Sequence, residues 1–191
     1  MGALDDGERV RAADAAAWSA WLERNHATST GAWLVRGRGA DARRYVDYED
    51  AICEALCVGW IDGPVRVFDD VSSGLWFAPR RARSGWAATN KARIARLEAE
   101  GRLRPAGRRA LEVARANGAW EMLDDAEAGI EPAELTASLD AVPGARANWD
   151  AFPPSSRKFG LTQIATAVRP ATRVARIARI VADAAENRRP S

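Results

Sequence analysis

The chain has 191 residues, with 28 lysines and arginines against 26 aspartates and glutamates and a net charge of only +2. A chain of that length buries roughly 70% of its unfolded surface as one domain and needs no covalent staple, and its two cysteines, Cys53 and Cys57, fit neither a disulfide framework nor a zinc pattern. The acidic, polar opening is no signal peptide and no apolar run approaches the ~20 residues of a membrane span, so the expectation is a cytoplasmic protein with no membrane insertion.

Residues 1–12 carry no apolar period and are expected to be mobile. Asp14 then offers an N-cap for a helix to about Arg24, in which Trp18, Trp21 and Leu22 fall at i, i+3 and i+4 on one apolar face. Gly31 to Arg36 reads as a strand and the polar stretch Gly37 to Arg44 as a loop. A helix from about Tyr48 to Val58, rich in Ala51, Ile52, Ala55 and Leu56, stops at Gly59, which suits a C-cap. Val65 to Asp69 and Leu75 to Pro79 flank the turn-rich segment Asp70 to Gly74 and predict a hairpin.

From Trp86 the pattern is helical. Ser84 is placed to cap a helix that runs through Ile94 and Leu97 and ends before Gly101, and another spans about Ala106 to Asn117. Pro132 and Pro143, at first-turn positions, open short helices carrying Leu135 and Leu139, then Trp149 and Phe152. After Pro153 and Pro154, helices are expected from Ser155 to Val168 and from Pro170 to about Glu186, with 187–191 mobile. The predicted fold is α+β and mainly helical. It is a single domain with a core over 14–110, where helices pack a small antiparallel sheet, and a helical C-terminal half over 111–191.

Charge is arranged in blocks. Residues 41–75 carry 3 basic against 8 acidic residues, 76–109 carry 10 against 2, 112–150 carry 2 against 9, and 151–191 carry 8 against 2. Such alternation predicts basic and acidic elements facing one another inside the fold, with a basic surface meeting an anion as the alternative. Only Lys91 and Lys158 are lysines, so the arginine richness is a bias of the whole chain.

The segment from Tyr48 to Gly63, with Cys53, Cys57, Trp60 and Asp62, resembles the hallmark of the YdeI/OmpD-associated, bacteriocin-protection family. Upstream stand Asn25 to Gly31 and Trp33-Leu34, and downstream Phe77 to Arg81, Ser84, Trp86 and Asn90-Lys91, in the family's order, so the resemblance covers residues 18–110 well. Phe152, Pro154, Ser155, Arg157 and Thr172-Arg173 resemble the family's second segment, which the chain departs from at Gly160, Gln163, Val168 and Ala171. The resemblance implies a role in bacteriocin or stress tolerance and assigns no reaction and no catalytic residue.

Among side chains with chemistry, the expected helix start after Arg83 is the leading candidate. Unpaired N–H groups and the positive end of the helix dipole at Ser84, beside Arg80 and Arg81, suit a small anion, with Trp86 to stack on it and Asn90 to orient it. His26 is the only histidine. With Asp62 it forms a weaker pair of acid–base candidates, provided the two meet in a pocket with Arg80, Ser84, Trp86 and Asn90. Cys53 and Cys57 share a helix face beside Glu49, Asp50 and Glu54, as buried structural thiols do. Ser155-Ser-Arg-Lys158 matches Ser-x-x-Lys in form but sits at a helix start without companion motifs, where serine caps. In the last helix Val174, Ile177 and Val181 share an apolar face next to a stripe of Arg169, Arg173 and Arg176. That stripe fits either a nucleic-acid or protein adaptor or pairing with the acidic block, and pairing is preferred, which makes nucleic acid an unlikely partner. No metal and no cofactor are expected.

Overall fold

The computed structural model describes residues 4, 7–37, 39 and 45–190. Most of the loop expected at Gly37 to Arg44 therefore lies outside the described residues. The chain divides into two compact units, one of residues 1–84 and 91–117 and the other of residues 85–90 and 118–191.

The first unit is the α+β part. Strand β1 (Glu8–Val10) lies within the stretch expected to be mobile, and helix α1 (Ala15–Asn25) follows. Next come β2 (Ala32–Gly37), α2 (Tyr48–Cys57), β3 (Trp60–Val67) and β4 (Ser72–Pro79). The sheet order is β1-β2-β4-β3. β3 and β4 form the expected antiparallel hairpin, and β2 adds antiparallel to β4, placing Trp33 opposite Trp76. β1 runs parallel to β2, so the sheet is mixed rather than purely antiparallel. Val10 gives the reason: one buried apolar side chain is enough to anchor a three-residue edge strand, but too little to register as a period.

Helix α1 starts where the sequence predicts, with Asp14 accepting from the Ala17 N–H at 2.8 Å. Its indoles Trp18 and Trp21 stack at 5.2 Å and 9°, and Trp18 also meets Phe77 of the sheet. The Trp18 N–H donates to the Ala51 carbonyl and that of Trp60 to the His26 carbonyl, so both indoles are buried with their polar atoms satisfied. Gly59, at φ +78, ends α2 in the left-handed conformation and lets the chain reverse directly into β3.

Helix α3 (Ala88–Ala99) buries Ile94 and Leu97, and α4 (Pro105–Ala116) buries Leu111 and Ala114. The start of α3 corrects the expectation at Ser84. Residues 84–87 have no regular secondary structure, a Cβ on Gly85 would crowd the Leu123 side chain, and Trp86 is 1% exposed with its ring 5.2 Å from that of Trp120. The packing of Gly85 on Leu123 and of Trp86 on Trp120 outweighs the local preference for a serine cap.

The second unit is helical: α5 (Asp124–Ala128), α6 (Ala133–Asp140), α7 (Ala145–Ala151), α8 (Pro154–Ala165) and α9 (Pro170–Ala185). Leu135, Leu139, Trp149, Leu161, Ile164 and Ile180 form its core. In α9 the apolar face is Ile177, Ile180, Val181 and Ala184. Val174, expected on that face, is 66% exposed because it lies one turn short of the packed stretch. Among the described residues no helix is long and apolar enough to cross a membrane.

Candidate functional site

In the first unit, β3 carries Asp62 and the end of β4 leads into Arg80. Burial pushes the Arg80 guanidinium down to about 10, and the charge of Asp62, on the other strand of the hairpin, opposes that shift. Tyr48, at the first turn of α2, donates its hydroxyl to Asp62 Oδ2 at 3.3 Å. Burial first, and then Asp62, raise the Tyr48 phenol above its ordinary value. Tyr48 is the member of this group that sequence reasoning missed, since its only signal was its place at the head of the hallmark segment. Arg81 is exposed on the loop after β4. Trp86 packs on Trp120 and Asn90 lies in the first turn of α3, where its N–H donates to the Ala87 carbonyl.

His26 sits elsewhere in that unit, just past the end of α1. Its Nδ1 is 2.9 Å from the Leu22 carbonyl, which can only accept, so Nδ1 carries the proton and Nε2 is the acceptor in the neutral ring. His26 lines a cleft of about 310 Å³ with Glu54, Val58, Arg104, Pro105 and Arg109, and Asp62 is not among the residues lining it.

The thiols are structural in character. Cys57 is pushed up to about 11, chiefly by burial and then by the Glu54 carboxylate. Cys53 is raised for the same leading reason, although the Arg96 guanidinium donates to its sulfur at 3.0 Å. A thiol held protonated is a poor nucleophile.

The basic stripe of the last helix is engaged inside the second unit. Arg173 pairs with Glu134 at 3.5 Å, Arg176 donates to the Gln163 carbonyl and to the Thr166 hydroxyl, and Arg179 pairs with Asp183 four residues on. Arg169 is the exposed N-cap residue of α9.

The same unit contains a cleft of about 530 Å³ at the start of α8, walled by Ala126, Glu127, Glu131, Ser155, Arg157, Lys158 and Leu161, with Trp149 behind them. Pro153 and Pro154 fix the entry to α8, whose first five residues place Ser155, Arg157 and Lys158 on the cleft wall. The acids of the cleft are committed. Glu127 receives Lys158 Nζ at 2.9 Å, while Glu131 receives the Arg146 guanidinium at 3.0 Å and the Trp149 N–H at 2.7 Å. Lys158, held in that ion pair, is not set as a base for Ser155. Arg157 is different: its Nε is buried and has no hydrogen-bond partner among the described residues. The sequence named Arg157 only as part of the resemblance, because nothing local reveals that both acids lining its cleft, Glu127 and Glu131, are already taken.

Two family models match, and they fall on the two parts of the chain. One, described as a domain of unknown function (DUF8412), matches residues 10–110. The other, described as "Bacteriocin-protection, YdeI or OmpD-Associated", matches residues 129–187. The YdeI/OmpD-associated resemblance is thus found on the C-terminal segment, including Gly160, Gln163, Val168 and Ala171, while the 18–110 stretch that suggested it matches the other description. No curated protein and no solved structure matches the chain significantly.

Proposed function

The chain belongs to the family of the domain of unknown function DUF8412 through residues 10–110, and on that premise, with its bacteriocin-protection segment at 129–187, we propose that it is a cytoplasmic tolerance factor that binds a small anionic molecule in the α8 cleft. The carrying observation is the buried Arg157 Nε without a hydrogen-bond partner in the cleft wall. A buried donor left unsatisfied costs about 1–3 kcal/mol, and a carboxylate or phosphate removes that cost through a charge-assisted bond. Eight of the eleven residues lining the cleft, Arg157 among them, lie in the segment that carries the bacteriocin-protection description, and its Leu161 and Ala126 walls suit an apolar portion of the ligand.

This reading moves the anion from the Arg80–Ser84 segment to Arg157. The charge of Asp62 already acts on Arg80, and α3 begins at Ala88, so Ser84 stands before the helix start that an anion would use.

The test is a thermal-shift and calorimetric screen of carboxylates, phosphates and cell-wall precursors. A ligand at one hundred times its Kd stabilises the folded state by about 2.7 kcal/mol. At least one such ligand is expected to raise the melting temperature of the native protein and to lose that effect in Arg157→Met. No response from the native protein, or an equal response from the variant, overturns the proposal.

A further inference from the structure

The groove around His26 in the first unit is larger than its 310 Å³ cleft. A second cleft of about 670 Å³ shares Ser19, Glu54, Cys57, Arg104 and Pro105 with it, so the two form one continuous depression bounded by α1, the end of α2 and the start of α4. Gly107 makes this geometry possible. A Cβ there would run into the Cys57 carbonyl, so only glycine lets α4 approach the end of α2 so closely, and the groove is the space left beside that contact.

Its charges do not balance. Arg102, Arg104, Arg108 and Arg109 line it against Glu23 and Glu54. Glu54 is taken by Arg102, Glu23 reaches Arg104 only at 3.9 Å, and Arg108 donates to the Leu103 carbonyl. Arg109 makes no ion pair among the described residues. The cationic end of the groove therefore lies at Arg104 and Arg109, while Val58, Pro105 and Ala106 supply an apolar wall beside them. His26 closes the same cleft with Nδ1 committed to Leu22, which leaves Nε2 as the ring atom for a ligand. Cys57 is held as a neutral thiol, so the groove is built for binding and not for covalent attack.

We infer that this groove is a second ligand site, separate from the α8 cleft, which takes a small amphipathic acid: a phosphate or carboxylate on Arg104 and Arg109, a hydroxyl or other donor on His26 Nε2, and an apolar or aromatic body against Val58, Pro105 and Ala106. An inorganic anion fills only the cationic end, and a neutral aromatic only the apolar wall, so an aryl phosphate binds better than either.

Because His26 is the only histidine, its ring gives a single, unambiguous NMR signal from the groove in the tag-free chain. Phenyl phosphate is expected to shift that signal saturably with a Kd of about 1 mM or tighter, and inorganic phosphate or phenol to shift it at least tenfold less effectively. Arg104→Gln with Arg109→Gln, both at exposed positions and so compatible with folding, is expected to weaken the phenyl phosphate titration at least tenfold. Arg157→Met is expected to leave it unchanged. A histidine signal that does not move with phenyl phosphate, or that moves equally in the double variant, overturns the inference. Loss of the shift in Arg157→Met also overturns it, by placing the binding at the other cleft.

Discussion

At the residue scale, the ion pairs that matter most are those that carry the two halves of a charge pattern. Glu49 at the start of α2 receives Arg93 Nη2 at 2.6 Å and Arg96 Nη2 at 3.2 Å, and the Arg93 hydrogen bond holds its carboxyl below the usual carboxylate range. A carboxyl depressed in the folded state contributes stability above its unfolded value, near 4, and loses it as pH falls through the folded value. We expect Glu49→Gln to lower the melting temperature at neutral pH and to flatten its fall in the acid range; parallel acid limbs for the two proteins would remove this pair from the balance. The contribution is modest because Glu49 remains partly exposed and solvent screens the pair. The candidate sites were only partly legible at this scale. Asp62 and Arg80 were named, and strand pairing carries both to one end of the β3–β4 hairpin. His26 was named, but Arg104 and Arg109, which line the same cleft, lie 78 and 83 residues on and no local pattern joins them. Arg157 was no site candidate and appeared only within the family resemblance, whereas what distinguishes it is the prior commitment of Glu127 and Glu131, a tertiary fact.

At the element scale, helices with a cap and an apolar face were readable, and elements defined by a partner were not. Asp14, Gly59, Pro132 and Pro154 each mark a boundary within a residue or two of its observed position, because caps and proline act on their own backbone. β1 exists only because β2 offers it an edge, and α3 begins three residues late because Trp86 is claimed by Trp120. The junction of α2 with α4 turns on Gly107. Alanine there adds a methyl group where the Cys57 carbonyl already stands, and the backbone must move apart. Gly107→Ala is expected to lower stability by about 1–3 kcal/mol, the usual range for overpacking, measured by urea unfolding. A variant as stable as the parent would show that α4 shifts freely, and the groove beside it would then be plastic.

At the scale of the whole molecule, the charge blocks resolve into internal pairing of the kind their alternation predicts. Arginines of 91–104 meet Glu23, Glu49 and Glu54 in the first unit, and Lys158 and Arg173 meet Glu127 and Glu134 in the second. The units are not simple consecutive lengths of chain, since residues 85–90 belong with 118–191. A fragment of 118–191 alone lacks Trp86, whose ring covers Trp120, and the Gly85 backbone that packs on Leu123. It is expected to melt with lower cooperativity and to bind more of an apolar dye than a fragment of 85–191, and equal behaviour of the two would mean that the inserted segment contributes nothing. The insertion also orders events during synthesis. Trp86 is made 34 residues ahead of Trp120, the ring it packs on. At 5–20 residues per second that gap takes roughly 2–7 s, an interval in which the growing chain holds an indole whose partner has yet to be made.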